Sequence, residues 1–299
     1  MSQLKTNNIT HLSNTGGPNI VLGDSGDVQV QSLNSGPLSG FRNQIINGDF
    51  RVWQRGGGPH QAQVEMNYGP DRWRNFSNAN NQLTRVNSTF SLFERACRVN
   101  NTSGAYVGAL GLTQGIETFF NGYPLVNGTQ VTVSAYATEP LNLDVFWGPD
   151  TISPSTSLVS DEVMNAGPVI EGSWRRYTYT FVVSTAGRSN ADISFNVRFR
   201  TSGVSTWDIT GIQLEPGPVA TPFEHHPIGT ELDLCQRYYT RITARRVGAN
   251  TYYQLPTTMR ATPTAGSQFG WDVVSRGTDI YSINTGTAQD GWVDFDAEL

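Results

Sequence analysis

The stretch DITGIQLEPGPVATPFEHHPIGT, residues 208–230, separates two kinds of sequence. Up to Glu215 it has the apolar spacing of a β-strand, and Gly211 interrupts the alternation as a β-bulge does. The prolines that follow prevent regular strand pairing and favour an extended connector; they are Pro216, Pro218, Pro222 and Pro227. The stretch therefore predicts the end of one domain, a Pro-rich connector over residues 216–230 and the start of a second domain.

Residues 41–215, before the connector, have the pattern of a large β domain. Apolar and polar residues alternate over residues 131–137 and again over 193–199, which indicates strands with one buried face. Residues 149–168 are polar and predict a long loop. At least eight strands with turns at this spacing predict an all-β, two-sheet sandwich of jelly-roll type.

The two flanking regions are small. Residues 1–40 contain strand-like pieces at 19–22 and 28–30, joined by the turn signal at 23–27. A hairpin of this size is unstable alone, so it predicts packing with other copies or with another protein; a disordered leader is the alternative. In residues 231–299, Thr230 and Asp233 predict a capped helix of about ten residues, followed by short strands. This small C-terminal α+β region has a thin core, which favours packing against another subunit.

Composition excludes several classes of protein. Charged residues make up 15% of the chain, and the net charge is −5 without any Lys/Arg run, so we expect no nucleic-acid partner. No apolar run is long enough to span a bilayer and the first residues lack a signal peptide, so we expect no membrane insertion and folding in a cytoplasm. Cys97 and Cys235 are too few for a disulfide framework and are interpreted as buried thiols.

Several motifs resemble bacteriophage tail-fibre and related virion structural proteins. Their order and spacing agree with that family over residues 43–264; they are NGDFRVWQRG (47–56), DRW (71–73), QLEPGPVATPFE (213–224), PIGTE (227–231), CQRYY (235–239) and MRATPT (259–264). QGIE (114–117) falls where the family often has Gln-Arg-Ile-Glu, so Gly115 departs from the pattern. The opening NGDF and the order of strands are also similar to jelly-roll carbohydrate-binding modules.

The resemblance implies a virion location, a homotrimer and attachment to other virion proteins through residues 1–40. It also implies a host cell-surface glycan as a ligand. Aromatic rings near loops would stack on sugar rings, and the candidates are Trp147, Tyr123, Phe119 and Tyr136. Each of these rings has core or interface packing as its alternative.

No cofactor is expected apart from a structural calcium ion, which the resemblance to jelly-roll modules implies between the opening and closing strands; Asp49 and Asp208 are the candidate ligands. His225 and His226 lie between prolines and are interpreted as exposed loop residues and not as a metal site.

Catalysis finds little support in the motifs. No nucleophile elbow, phosphate-binding loop or dinucleotide fingerprint is present, and the acidic residues fall near turns, where they are ordinarily solvated. The sequence therefore predicts a non-enzymatic virion structural protein, a tail fibre or similar appendage, that attaches to a surface by multivalent binding. The alternatives are a purely architectural connector or capsid decoration protein, and a glycan depolymerase.

Overall fold

A computed structural model describes residues 8–9, 20–22, 28–30, 41–61, 67–76, 81–101, 111–117, 127–148, 156–188, 194–201, 206–247, 251–269, 273–275, 277–278, 280–283 and 289–298. In these residues the chain is built from antiparallel strands and a single α-helix. The strands that precede the helix are β1 (Asn8–Ile9), β2 (Ile20–Leu22), β3 (Val28–Val30), β4 (His60–Gln61), β5 (Asn67–Tyr68), β6 (Arg74–Phe76), β7 (Asn81–Asn87), β8 (Arg95–Asn101), β9 (Gly111–Glu117), β10 (Gln130–Ala137), β11 (Asn142–Trp147), β12 (Thr156–Val163), β13 (Asn165–Glu171), β14 (Trp174–Val182), β15 (Ser194–Arg200) and β16 (Thr206–Pro216). The helix is α1 (Ile228–Gln236), and the later strands are β17 (Tyr239–Val247), β18 (Thr251–Gln254), β19 (Thr264–Phe269), β20 (Val273–Ser275), β21 (Ile280–Ile283) and β22 (Gln289–Asp296).

The central unit is a β-sandwich of jelly-roll type, as the sequence predicts. One sheet has seven strands in the order β13-β14-β10-β16-β8-β7-β4, and the other has six in the order β12-β11-β15-β9-β6-β5. The two clearest alternating runs supply their apolar residues to one shared core, from β10 in the first sheet and β15 in the second. The core lies between the sheets because each strand turns only every second side chain inward.

Gly211 forms the expected irregularity in the closing strand. Its φ is +59°, and the pairing of β16 with β10 shifts register between Ser134 and Tyr136. A Cβ atom here would lie 2.4 Å from Phe93 Cζ, so glycine is required by packing as well as by backbone conformation.

The prediction of a long polar loop at 149–168 is wrong for the part that the structure describes. Its described part forms β12 and β13, which are the outermost strands of the two sheets. Almost every residue of β13 is exposed, so the strand has no apolar face to produce the alternating pattern. The sequence does not predict this strand because β13 is held by backbone hydrogen bonds to β14 and not by buried side chains.

The flanking regions form small sheets. β2 pairs with β3 as a hairpin, joined on its other side by β1; the turn predicted at 23–27 lies outside the described residues. After the helix, two three-stranded sheets follow in the orders β17-β22-β19 and β18-β21-β20. No helix in the described part of the chain is long and apolar enough to cross a membrane.

The helix begins earlier than predicted. α1 starts at Ile228 with Pro227 at its N-cap position, and no side chain caps it. Thr230 therefore lies inside the first turn. The side chain of Glu231, one residue later, accepts the backbone N–H of Asn47 at 2.7 Å, which lies far away in the sequence.

The connector does not hang free between two domains. We call residues 217–226 the strap, because their backbone crosses the outer face of the seven-stranded sheet. Arg176 of β14 donates to the carbonyl of Thr221, and Thr132 of β10 donates to that of Gly217 at 2.7 Å. Thr221 in turn donates to Glu215 from both its N–H, at 2.8 Å, and its hydroxyl, at 2.6 Å.

Candidate functional site

The opening motif NGDF is organised around Asn47. Asn47 has φ +56°, a left-handed conformation that asparagine tolerates better than most residues. Its side-chain amide donates to the carbonyls of Val52 and Asp71 at 2.8 and 3.0 Å, and its side-chain oxygen accepts the N–H of Val52 at 3.0 Å. The indole N–H of Trp73 donates to the Asn47 carbonyl at 3.0 Å. One asparagine thus ties the NGDF and DRW motifs together.

Gly48 brings the opening segment against the closing strand. Ile212 donates its N–H to the Gly48 carbonyl at 2.9 Å, and a Cβ atom on Gly48 would lie 2.2 Å from the Ile212 carbonyl oxygen. Nearby, Phe50 and Trp73 are fully buried in the core, with ring centroids 5.4 Å apart. Glycine is therefore needed at this position for close approach of two backbones.

Charged residues from six separate segments meet beside this opening. We call this cluster the polar junction; it contains Arg55, Asp71, Arg72, Glu117, Arg237, Arg260, Asp296 and Glu298. The motifs WQRG, DRW, QGIE, CQRYY and MRATPT each contribute at least one of its members. The arginines and carboxylates are equal in number, so the cluster is close to electrically neutral.

Arg72 lies at the centre of the polar junction and is 1% exposed. Its guanidinium pairs with Glu298, donates to the carbonyl of Gly115 and stacks over the ring of Tyr238 at 3.4 Å. Its φ is +72°, so the backbone itself is held in an unusual conformation. Gly115, the position that departs from the family pattern, thus takes part in the junction through its backbone oxygen.

Arg55 bridges the same cluster from the other side. It pairs with Asp296 at 3.0 Å and with Glu298 at 3.5 Å, and it stacks over the Tyr239 ring at 3.5 Å. The neighbouring Asp71 accepts the N–H of Gln54 at 2.6 Å and lies 3.9 Å from Arg55. Burial raises the pKa of Asp71 to about 6, although Arg55 acts in the opposite direction.

Glu117, at the end of β9, completes the junction. It pairs with Arg237 at 3.1 Å and with Arg260 at 3.7 Å. The Arg260 guanidinium also donates to the backbone carbonyls of Ala297 and Glu298 at 2.7 and 3.0 Å. Buried arginines that pair with carboxylates and donate to carbonyls in this way hold segments in register. Because Asp71 is fully buried, its carboxyl group has no access to a substrate.

A second polar cluster lies on the outer face of the six-stranded sheet. Arg74, Thr113, Arg198 and Asp144 occupy directly paired positions on four neighbouring strands, β6, β9, β15 and β11. We call these four residues the polar row. Arg198 stacks on Phe146 at 4.7 Å, and the row's members are buried.

The polar row reaches solvent at its β12 end. Arg200 pairs with Asp144 at 2.7 Å and with Asp161 at 3.0 Å, and the Asp161 side chain is 54% exposed. Asn142 donates to Asp161 at 2.8 Å. Amide, carboxylate and guanidinium groups are thus held together at an exposed edge, and groups of these kinds are the ones that hydrogen-bond sugar hydroxyls.

The aromatic residues predicted to bind sugar are placed in two ways. Trp147 is 1% exposed and packs edge-on against Phe195 at 4.9 Å, with its indole N–H donated to Ser184. Tyr136 is also buried, between Phe90 and Phe93. Protein atoms therefore occupy the faces of both rings. Tyr123 and Phe119 lie outside the described residues.

The two predicted calcium ligands each face an arginine. Asp49 accepts Arg51 Nε at 2.6 Å, and Asp208 accepts two N–H groups of Arg98 at 2.8 and 2.9 Å. An arginine in contact with a carboxylate competes with a cation for its oxygens. In the described part of the chain, no group of three or more His, Cys, Asp or Glu residues is arranged to hold a metal ion.

One of the two histidines differs from the prediction: His225 is exposed, as predicted, whereas His226 is buried. His225 is exposed and packs against Phe223 and Phe93, with ring centroids 4.8 and 5.4 Å away. His226 is buried, with Nδ1 2.6 Å from Glu231 and Nε2 3.6 Å from Glu224. Alternation in the strap turns one imidazole outward and the next inward, and the flanking prolines in the sequence do not reveal this. Cys97 and Cys235 are buried free thiols, as predicted.

No family model and no curated protein matches this chain. Solved structures with some similarity include the enzymatically active domain of tailspike protein 4 of bacteriophage CBA120, at 14% identity and a TM-score of 0.37, which covers 60% of this chain and 22% of that one. The CBM22-1–GH10 modules of a Clostridium thermocellum endo-1,4-β-D-xylanase match at 16% identity and a TM-score of 0.35, over 54% of this chain and 28% of that one. A CBM22-2 xylan-binding domain from Paenibacillus barcinonensis matches at 14% identity and a TM-score of 0.34, over 54% of this chain and 100% of that one. At these values the likenesses carry no argument about function.

Proposed function

We propose that this chain is a structural protein of a bacteriophage tail fibre or a similar virion appendage, and that it presents its β-sandwich for attachment to a surface. One observation carries the proposal. The motifs that resemble virion structural proteins lie far apart in the sequence, yet five of them contribute charged residues to the polar junction. The shared residues therefore have a common task, which is to hold the sandwich and the C-terminal region together.

A fixed connection between modules suits an appendage. A module that hangs from a flexible linker transmits little orientation to the next one, whereas a buried network of ion pairs constrains both. We propose assembly as a homotrimer, with residues 1–40 contacting other virion proteins. Three weak surface sites on one rigid assembly raise the effective concentration at the host, so that weak contacts sum to useful avidity.

Labelling of the intact particle tests the virion role. Fab fragments raised against the purified chain are expected to decorate the tail appendages in electron micrographs of particles. Decoration of the head surface would favour the capsid decoration alternative. Particles that bind no Fab, while the purified chain does, would contradict a virion role, provided that denatured particles also fail to react. Sedimentation of the purified chain is expected to give the mass of three copies.

The exposed end of the polar row is our candidate for glycan contact. Asn142, Asp161 and Arg200 offer donors and acceptors at one edge of the sandwich. We expect the purified oligomer to bind glycans of the host surface on an array, and Asp161→Asn to weaken that binding about fivefold or more. Asparagine tolerates the φ of +52° at this position, so the backbone is retained. Glu94→Gln, directly before β8 of the other sheet, is the matched control.

The architectural alternative has its own supporting observation. Protein atoms occupy the ring faces of Trp147 and Tyr136, so neither ring has a face open to a sugar. If the oligomer binds neither glycan arrays nor intact host cells, a connector without a ligand becomes the better account. We propose no catalytic role, and release of reducing ends from host polysaccharide by the purified chain would contradict that.

A further inference from the structure

Buried carboxylates surround the imidazole of His226 where the strap meets the opening segment. Its Nδ1 lies 2.6 Å from Glu231 Oε1 in α1, and its Nε2 lies 3.6 Å from Glu224 Oε2 in the strap. Both carboxylates are themselves buried, with side chains 7% and 9% exposed. The Nε2 atom has no hydrogen-bond partner in the structure.

Each carboxylate also holds the opening segment of the sandwich. Glu231 accepts the N–H of Asn47 at 2.7 Å through its other oxygen. Glu224 accepts the N–H groups of Phe41 and Asn43 at 2.5 and 2.9 Å. His226 therefore lies between the two side chains that fasten the strap and the helix to the opening segment.

The protonation state of His226 determines whether this arrangement is satisfied. A neutral imidazole has one N–H, so it can donate to Glu231 or to Glu224 but not to both, and its other nitrogen presents a lone pair to the second carboxylate. The imidazolium has two N–H groups and a positive charge, which offsets the repulsion between two buried carboxylates. We propose that His226 is a proton-operated clamp, which fastens the strap and α1 to the opening segment when protonated and loosens them when neutral.

The other charged groups around His226 are fixed by their own partners. Arg51 donates to the His226 carbonyl at 2.7 Å and pairs with Asp49, and His225 lies 3.9 Å from Asp49. The hydrogen bond to Glu231 raises the pKa of His226, although burial opposes this, whereas burial lowers the pKa of the more exposed His225. The pKa values of the two neighbouring histidines are therefore shifted in opposite directions, which allows their titrations to be separated experimentally.

The sign of the pH effect follows from the raised pKa of His226. Its contribution to stability is fully present below about pH 6.5, the ordinary histidine value, and is lost as pH rises through the higher value in the folded chain. The ratio of folded to unfolded protein should fall about tenfold for each unit between the two values. Asp71, whose pKa is about 6, changes the stability mainly below pH 6.5. Burial raises the pKa of the Cys97 and Cys235 thiols, so they lower the stability as pH approaches about 8.5, the ordinary thiol value in the unfolded chain. The window from pH 6.5 to 7.5 therefore reports mainly on His226.

Urea unfolding of the full chain across pH 6.5–7.5 tests the clamp. We expect the wild type to lose stability over this window, His226→Gln to lose most of that pH dependence, and His225→Gln to keep it. A wild-type slope retained in His226→Gln would overturn the proposal. If that variant does not fold, NMR titration of the wild-type ring decides, because a His226 midpoint at or below 6.5 contradicts the clamp. Exchange of the Asn47 amide, corrected for intrinsic rate, is expected to accelerate above the midpoint while that of Gln44, bonded to the Leu214 carbonyl, does not.

Discussion

Single residues decide how closely the two ends of the sandwich approach each other. Gly48→Ala places a Cβ atom 2.2 Å from the Ile212 carbonyl oxygen, which belongs to backbone and cannot rotate away. We expect a loss of about 2–4 kcal/mol of unfolding free energy, because the opening segment must shift from the closing strand. The measurement is urea unfolding, with Gly229→Ala as control.

Gly229, in α1, has nothing within 4 Å of an added Cβ atom. Alanine is a better helix former than glycine, so this control should be neutral or slightly stabilising. Equal losses in the two variants would show that the approach of Gly48 to Ile212 is not the cause.

Asp71 gives a pH-dependent prediction at the same scale. Its pKa of about 6 lies above the ordinary value, so the folded chain binds a proton that the unfolded chain has already released. Its contribution therefore favours folding near pH 4 and is lost as pH rises through about 6. Relative to wild type, Asp71→Asn should gain on the order of 1–3 kcal/mol of stability between pH 4 and 7. Asp233→Asn, on the exposed face of α1, is the matched control.

At the scale of elements, the strap is held by one buried threonine. The Thr221 hydroxyl donates to Glu215, whose side chain is fully buried. Thr221→Val keeps the shape but removes that donor, so we expect a loss of about 1.5–3 kcal/mol in thermal or urea unfolding. Thr180→Val removes a hydroxyl at the exposed edge of the strap, which contacts the Pro218 carbonyl and lies 2.9 Å from the Thr132 hydroxyl, and it should cost about 1 kcal/mol or less. Similar losses in both variants would count against a special role for Thr221.

The elements show what sequence can and cannot predict. The runs that begin at Val131 and Phe195 predict strands correctly, because one face of each enters the core. β13 is missed because both of its faces are exposed, and the start of α1 is misplaced because the helix begins at Ile228 without a side-chain cap, so the cap expected at Thr230 is absent. The arginine and carboxylate motifs mark the polar junction, but their pairing across the chain depends on the folded arrangement. The positions of Trp147 and Tyr136 in the sequence are those of aromatic residues near loops. Both side chains are buried, and this burial depends on how the strands pair.

For the whole molecule, the polar junction should make the sandwich and the C-terminal region unfold together. Glu298 pairs with Arg72 and Arg55, and its side chain is 4% exposed. Glu298→Gln removes the carboxylate partner of the buried Arg72, so we expect a loss of about 3–5 kcal/mol. The tryptophan fluorescence and the circular dichroism of the whole chain, which should follow one transition in the wild type, should then no longer coincide in urea.

The surface pair of Glu94 and Arg95 provides the matched comparison, since the Glu94 side chain is 67% exposed. Glu94→Gln should change stability by less than about 1 kcal/mol, because exposed ion pairs contribute little. A single shared transition that is unchanged in Glu298→Gln would contradict the coupling.

The adjacency of the opening and closing segments has a mechanical consequence. Gln44 donates its N–H to Leu214 and Ile212 donates to Gly48, both at 2.9 Å, so the chain enters and leaves the sandwich at the same place. A tension applied between residue 41 and the C-terminal region would pass across these few bonds and the contacts of Glu224. The thirteen strands of the sandwich would carry almost none of it. Under load the sandwich would lie beside the path of the force, and the force needed to separate the two regions would depend on the hydrogen bonds of the opening segment.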